Sequence, residues 1–526
     1  MLCQFDDIVS TSSLHFAQNI AIDDNKQQLT YQQLDQAIDS LASSLVELGL
    51  EPNSRIGIYL PKQVEAVISF FAASRAGLVF VPINPLLKPA QVSYILQDCN
   101  VQLLITSAQR GTILQSIYSD CEDLGHLLLV DESTKFSEPN RLTTHYWSQL
   151  PATAQRLSRR RISKDLAAIL YTSGSTGQPK GVCLSHQNLT AGAQSVSQYL
   201  VNTSDDIILA VLPLSFDYGL SQVTTALLVG AKVVLMEYLL PRDVIRQVEK
   251  HQITGLAAVP PLWVQLAGLD WPGAAKNSLR YITNSGGAMP EMTLNQLRQA
   301  LPDTAPYLMY GLTEAFRSTY LDPSELDQRP NSMGKAIPDA DILVLRDDGT
   351  ECGPNEAGEL VHRGIHVSLG YWNAPEKTAQ RFKPLATSQN HIAELAVWSG
   401  DTVKRDEEGF LYFIGRRDDM IKCSGYRISP AELEDTLYHL ELIDEVVALG
   451  IADEQLGQAV LLAIKPSSNV SPDDNTIKAI KRFCQQELPN FMQPKYIEFV
   501  DQLPRNPNGK IDRKALQQEF QHLATV

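Results

Sequence analysis

Short β-branched and aliphatic runs recur along this chain, each followed by an amphipathic stretch, and that alternation limits the fold more than any other feature. Arg55–Pro61 (RIGIYLP) has the make-up of a strand, and Gln63–Gly77 (QVEAVISFFAASRAG) has the periodicity of a helix ending at a glycine. Leu78–Asn84 and Val101–Ser107 read as further strands, and DIILAVLP, AKVVLME, GLAAVPP and LRYITNSGG continue the rhythm. Runs this continuously apolar belong to strands covered on both faces, so the expected class is α/β with parallel-type sheets. After about Phe382 the texture changes. AVWSGDTVKRDEEGFLYFIGR reads as two strands around an acidic turn. PAELEDTLYHL (helix), EVVALGIA and QAVLLAIKP (strands) and DNTIKAIKRFCQQEL (helix) then make a small α+β unit of roughly 100 residues. The boundary is expected in the polar turn Gly415–Asp419, dividing a large domain, 1–415, from a small one, 416–526.

Composition narrows the function classes. With 526 residues, 44% of them apolar and 20% charged, the chain buries large cores and is not disordered. Its 44 basic and 60 acidic residues leave a net charge of −16, which argues against a general nucleic-acid or anionic-membrane binder. Seven scattered cysteines include no C-x-x-C pair, so neither a zinc site nor a disulfide framework is signalled, and a reducing cytoplasm is expected. The first ten residues lack a basic-then-apolar secretory pattern. The most apolar stretch, Ala66–Pro82, is interrupted by Arg75 and ends in proline, so no stable membrane insertion is expected.

The strongest local signal is Tyr171–Gly181, YTSGSTGQPKG, which packs three glycines and four Ser/Thr hydroxyls into eleven residues. Glycines let the backbone curl so that several N–H groups point at one anion, hydroxyls add donors, and Lys180 adds charge. Candidate phosphate contacts are Thr172, Ser173, Gly174, Ser175, Thr176, Gly177 and Lys180. The loop is not a Walker A motif, because Gly177 is followed by Gln-Pro-Lys. His186, just beyond it, has no Ser-His-Asp set around it and reads as a packed or capping residue. His362 and His366 are four apart but sit among glycines and β-formers, which does not suit metal ligation.

The loop resembles the signature of the adenylate-forming superfamily, which includes acyl-CoA synthetases, stand-alone adenylation enzymes of peptide synthesis, and luciferases. Five further segments resemble that family's motifs in family order. They are Ser285-Gly286-Gly287-Ala288, Tyr310-Gly311-Leu312-Thr313-Glu314, Ser399-Gly400-Asp401, Gly415-Arg416-Arg417-Asp418 with Lys422 through Gly425-Tyr426-Arg427, and Asn508-Gly509-Lys510. The resemblance implies a large ATP- and acid-binding domain and a small rotating one hinged near Asp418. It implies a two-step reaction in which a carboxylate attacks the α-phosphorus of ATP and a thiol then displaces AMP. Lys510, Thr313 and Mg²⁺ held by Glu314 would neutralise the phosphate. Gly286, Gly287, Ala288, Tyr310 and Gly311 would meet adenine, and Asp401 and Arg416 the ribose. Lys422 and Gly425 would reach the site only after rotation.

By the same resemblance, Asp217, Tyr218, Ser221, Thr283, Ser285, Met309, Arg317 and Ser318 line the acid pocket. An aspartate at position 217 suits the ammonium of an α-amino acid, since a buried carboxylate needs a cationic partner. Arg317 departs from the small or apolar residue usual there and could neutralise Asp217 internally. The expected substrate is a small amino acid such as glycine or proline, the alternative a short or medium carboxylic acid. The sequence ends 16 residues after Lys510 without a carrier domain, so the thiol is expected from a separate phosphopantetheinylated carrier protein or from CoA.

Overall fold

The structure, a computed structural model, describes residues 2–133, 136–151, 156, 161–172, 179–289, 291–385, 393–416, 420–428, 430–468, 470–504 and 513–524. Two large sheets carry the alternating segments. In one, the parallel strands Ile20–Asp23, Lys232–Leu235, Ile207–Ala210, Gly255–Ala258, Tyr281–Asn284 and Ala305–Tyr310 lie side by side. In the other, Val79–Pro82, Arg55–Tyr59, Val101–Thr106, His126–Leu129 and Thr143–Tyr146 are parallel, and an antiparallel hairpin of Leu166–Thr172 and Lys180–Ser185 joins beside Val79–Pro82.

The helices between the sheets explain the apolar continuity of the sequence. Every residue from Asp217 to Leu227 of the helix Asp217–Leu228 is buried. One hydrophobic cluster runs from Leu209, Val233 and Leu256 through Val67, Phe71 and Val223 to Ile56 and Phe80. A third, five-stranded sheet, including Ala357–Gly364 and Glu394–Arg405, packs its own core of Ile342, Val344, Leu360 and Val403. A fourth, built on Ile443–Asp453 and Gly457–Pro466, closes around Leu433, Val446, Leu462 and Ile480. No helix among the described residues is long and apolar enough to cross a membrane.

Most element readings hold, and one is corrected. The segment GLAAVPP is a strand only to Ala258, because Pro260 and Pro261 open the helix Pro260–Ala267, where a missing N–H costs nothing and φ is already helical. Arg75 interrupts an apolar run because it is a buried charge with its own partners. Its guanidinium meets Asp35 at 2.6 Å, Asp39 at 2.7 Å and Asp6 at 3.4 Å.

Three histidines are packed as neutral groups. His186 accepts the Phe5 N–H at Nδ1, and His362 lies 2.9 Å from the Ser318 hydroxyl. Burial pulls His186 and His366 down to about 4 and His362 to about 3. Imidazoles of the unfolded chain titrate near 6.5, so below that pH the unfolded state binds more protons, and stability is lost as pH falls from about 6.5 towards 4. His126, His145 and His251, held down the same way, add to the slope. The urea midpoint should fall steadily across that window; a flat midpoint between pH 7 and 4.5 would contradict this account.

Candidate functional site

A cleft of about 180 Å³ opens at the carboxyl ends of the parallel strands, where open α/β sheets place their ligands. Thr172, Asp217, Ser285 and Thr313 line it from the large sheets, Gly425 and Tyr426 from the small unit. Gly425 has φ +81°, and a Cβ there would sit 2.8 Å from both methyls of Val259. Only glycine enters this conformation and this gap without strain. The next residue fixes the approach: Tyr426 stacks on Phe491 at 3.8 Å and meets Phe216, which immediately precedes Asp217, edge-on at 5.0 Å. Lys422 is not among the lining residues; its ammonium lies 4.8 Å above the Phe413 ring.

The acid-pocket residues start the helix Asp217–Leu228 and follow two strand ends. Tyr218 and Thr283 share a hydrogen bond of 2.6 Å, and Met309 takes one from the Tyr199 hydroxyl at 3.0 Å. Arg317 donates from Nη1 to Asp217 Oδ2 at 3.3 Å, and its guanidinium lies 4.5 Å over the Tyr218 ring. Thr313 donates to the other Asp217 oxygen at 3.4 Å. Burial pushes the Asp217 carboxyl up while Arg317 pulls it down, and burial prevails. Beyond Arg317 a small inner cavity of about 30 Å³ is lined by Ser221, Gln222, Thr225, Thr283 and Met309. Ser318 is buried beside His362 and lines neither cavity.

The phosphate-loop anchors Thr172 and Lys180 are register partners across the hairpin. Lys180 Nζ lies 5.2 Å over the Tyr371 ring, and the Tyr371 hydroxyl donates to Glu314 Oε1 at 2.7 Å. Tyr310 donates to Asp401 Oδ2 at 2.5 Å, and Asp401 is the register partner of Arg416. Gly286, at φ +82°, Gly287 and Ala288 form the turn after Tyr281–Asn284, and Gly311 lines the cleft. Ser173, Gly174, Ser175, Thr176, Gly177, Asp418 and Lys510 lie outside the described residues, and for Arg416 only the backbone is described.

Sequence reasoning missed Gln222, Thr225, Tyr371 and the aromatic pair Phe216–Tyr426. The first two had a readable signal. Residues 217, 218, 221, 222 and 225 fall at helical spacing on one face, and that face meets the cavity.

Comparison with known proteins agrees along nearly the whole length. The profile described as AMP-binding enzyme matches residues 11–372, and that of the AMP-binding enzyme C-terminal domain matches residues 432–510. The chain is 27% identical over 523 residues to the long-chain-fatty-acid–CoA ligase of Salmonella typhimurium, covering 93% of this chain and 90% of that one. It is 28% identical over 493 residues to bacitracin synthase 3 of Bacillus licheniformis, covering 93% of this chain but only 7% of that protein. Among solved structures, o-succinylbenzoate CoA synthetase of Bacillus subtilis superposes with a TM-score of 0.81 at 25% identity, covering 97% of both chains.

Proposed function

Since this chain belongs to the AMP-binding enzyme family and is an AMP-forming acid–thiol ligase using ATP and Mg²⁺, we propose how its residues divide the work and which acid it takes. In the first step a carboxylate oxygen bonds to the α-phosphorus as the bond to pyrophosphate breaks. In the second a thiolate sulfur bonds to the acyl carbon as AMP leaves. Lys510 and the Thr313 hydroxyl contact the α-phosphate. The loop from Thr172 through Ser173, Gly174, Ser175, Thr176 and Gly177 to Lys180 holds the other phosphates. Asp401 and Arg416 hold the ribose. Glu314, a buried hard-oxygen donor beside the Thr313 hydroxyl, suits Mg²⁺ that arrives with the nucleotide. Bound there, the ion neutralises phosphate charge.

The small domain, hinged near Asp418, supplies Lys510 for the first step and the Gly425 segment for the second. The position of Gly425 at the cleft supports the present arrangement as the thioester-forming one. The acceptor is a phosphopantetheine thiol, borne by CoA or by a separate carrier protein. Seven cysteines without a disulfide among them fit a reducing cytoplasm.

The Asp217–Arg317 pair carries the choice of acid. An α-ammonium needs an uncommitted carboxylate, and Asp217 already holds a buried guanidinium. The acid therefore lacks an α-amino group, which is the second of the two classes considered from sequence, a short or medium carboxylic acid. Acid-dependent pyrophosphate exchange tests this by pairing each small amino acid with its deaminated analogue. The analogue should be the better substrate, and a preference for amino acids would restore the first reading. Asp217→Ala should lower kcat/KM about 30-fold or more, because removing one member of a desolvated pair costs about 2–5 kcal/mol and leaves Arg317 buried alone.

A further inference from the structure

We propose that the acid carries a second carboxylate at its far end, and that Arg317 receives it, with Gln222 and Thr225 beside it. The proposal rests on the ligase reading above and names the substrate class for it.

Arg317 is only 2% exposed. Its Nη1 serves Asp217 and the Phe316 carbonyl, both at 3.3 Å. Its Nε and Nη2 are buried with no hydrogen-bond partner among the described residues. These two nitrogens form one edge of the guanidinium, whose parallel N–H groups match the two oxygens of a carboxylate. The protein uses the same edge twice elsewhere. Arg280 holds Asp206 through Nε at 3.2 Å and Nη2 at 2.7 Å, and Arg346 holds Glu356 through Nε at 2.6 Å and Nη2 at 2.5 Å.

The neighbouring groups are unsatisfied as well. Among the described residues, both polar atoms of the Gln222 amide and the Thr225 hydroxyl are buried without partners, and both residues line the inner cavity with Arg317. Unpaired buried polar groups are costly, so three converging on one cavity point to a polar ligand. Backbone strain at Phe316 supports the same reading. It has φ +55°, and the Arg317 N–H closes a tight turn onto the Ala315 carbonyl at 2.6 Å. Such strain persists where the surrounding structure fixes a functional side chain.

The test measures pyrophosphate exchange by the wild-type enzyme with malonate, succinate and glutarate. Each is compared with the monocarboxylate of matching length and with its half-amide. At least one dicarboxylate should exceed both counterparts by about ten-fold or more in kcat/KM, because a site built to pair a polar group rejects analogues lacking it. Arg317→Lys, which keeps the charge but loses the fork, should bring that ratio towards one, and Gln222→Leu should reduce it. If at every length the monocarboxylate or half-amide equals its dicarboxylate, the proposal is overturned, while the exchange they support leaves the ligase reading standing. Exchange with other acids only also overturns it. Exchange with no acid of any class overturns both. The wild-type panel decides even if an Arg317 variant does not fold.

Discussion

Lys510→Ala is expected to slow acid-dependent pyrophosphate exchange by roughly 10²–10³, equivalent to about 3–4 kcal/mol of lost transition-state stabilisation, with circular dichroism unchanged. The first step brings a carboxylate onto a phosphate, and a cation at the α-phosphate counts mainly where charge concentrates in the transition state. Thioester formation from acyl-adenylate supplied ready-made should survive, because that step no longer needs the lysine. Exchange at the wild-type rate would remove Lys510 from the proposed chemistry.

Gly425→Leu should give the mirror image. A side chain at φ +81° costs about 1–2 kcal/mol, and its Cβ meets Val259 at 2.8 Å. The small domain then seats poorly, and a misplacement of about 1 Å in a reacting geometry costs on the order of a hundred-fold. Thioester formation should fall by that much, while exchange, which uses the other domain orientation, stays within a few-fold. Equal losses in both half-reactions would argue against alternation of the small domain.

The strands were legible because burial on both faces makes their sequence continuously apolar, and the glycine turns because few residues enter positive φ. The Asp217–Arg317 pair was foreseen as a possibility, since an arginine at a position where small or apolar residues are usual could neutralise the aspartate internally. What escaped was set by tertiary geometry. Nothing local in SGYRIS announces that Tyr426 stacks on Phe491, 65 positions later, and nothing next to Tyr371 announces that it crosses to Glu314. Ser318 was placed in the pocket by the family resemblance. Consecutive residues of an extended segment point to opposite sides, however, and Ser318 turns to His362 instead. Gln222 and Thr225 were passed over because amides and hydroxyls on a helix usually face water, whereas every residue of this helix up to Leu227 is buried.

The cysteines have a practical consequence. Six are buried, and burial pushes Cys99 and Cys183 up to about 12 and Cys484 to about 11, so at neutral pH they carry little thiolate. Cys3 alone is exposed. The native protein therefore offers a single handle for a maleimide dye, fixed to the large sheets through the buried Phe5 and Asp6. One further cysteine placed on the outer face of the helix Asp474–Glu487 would complete a donor–acceptor pair. Energy transfer between the two dyes would then time the swing of the small domain, molecule by molecule, without removing any thiol that the chain already has.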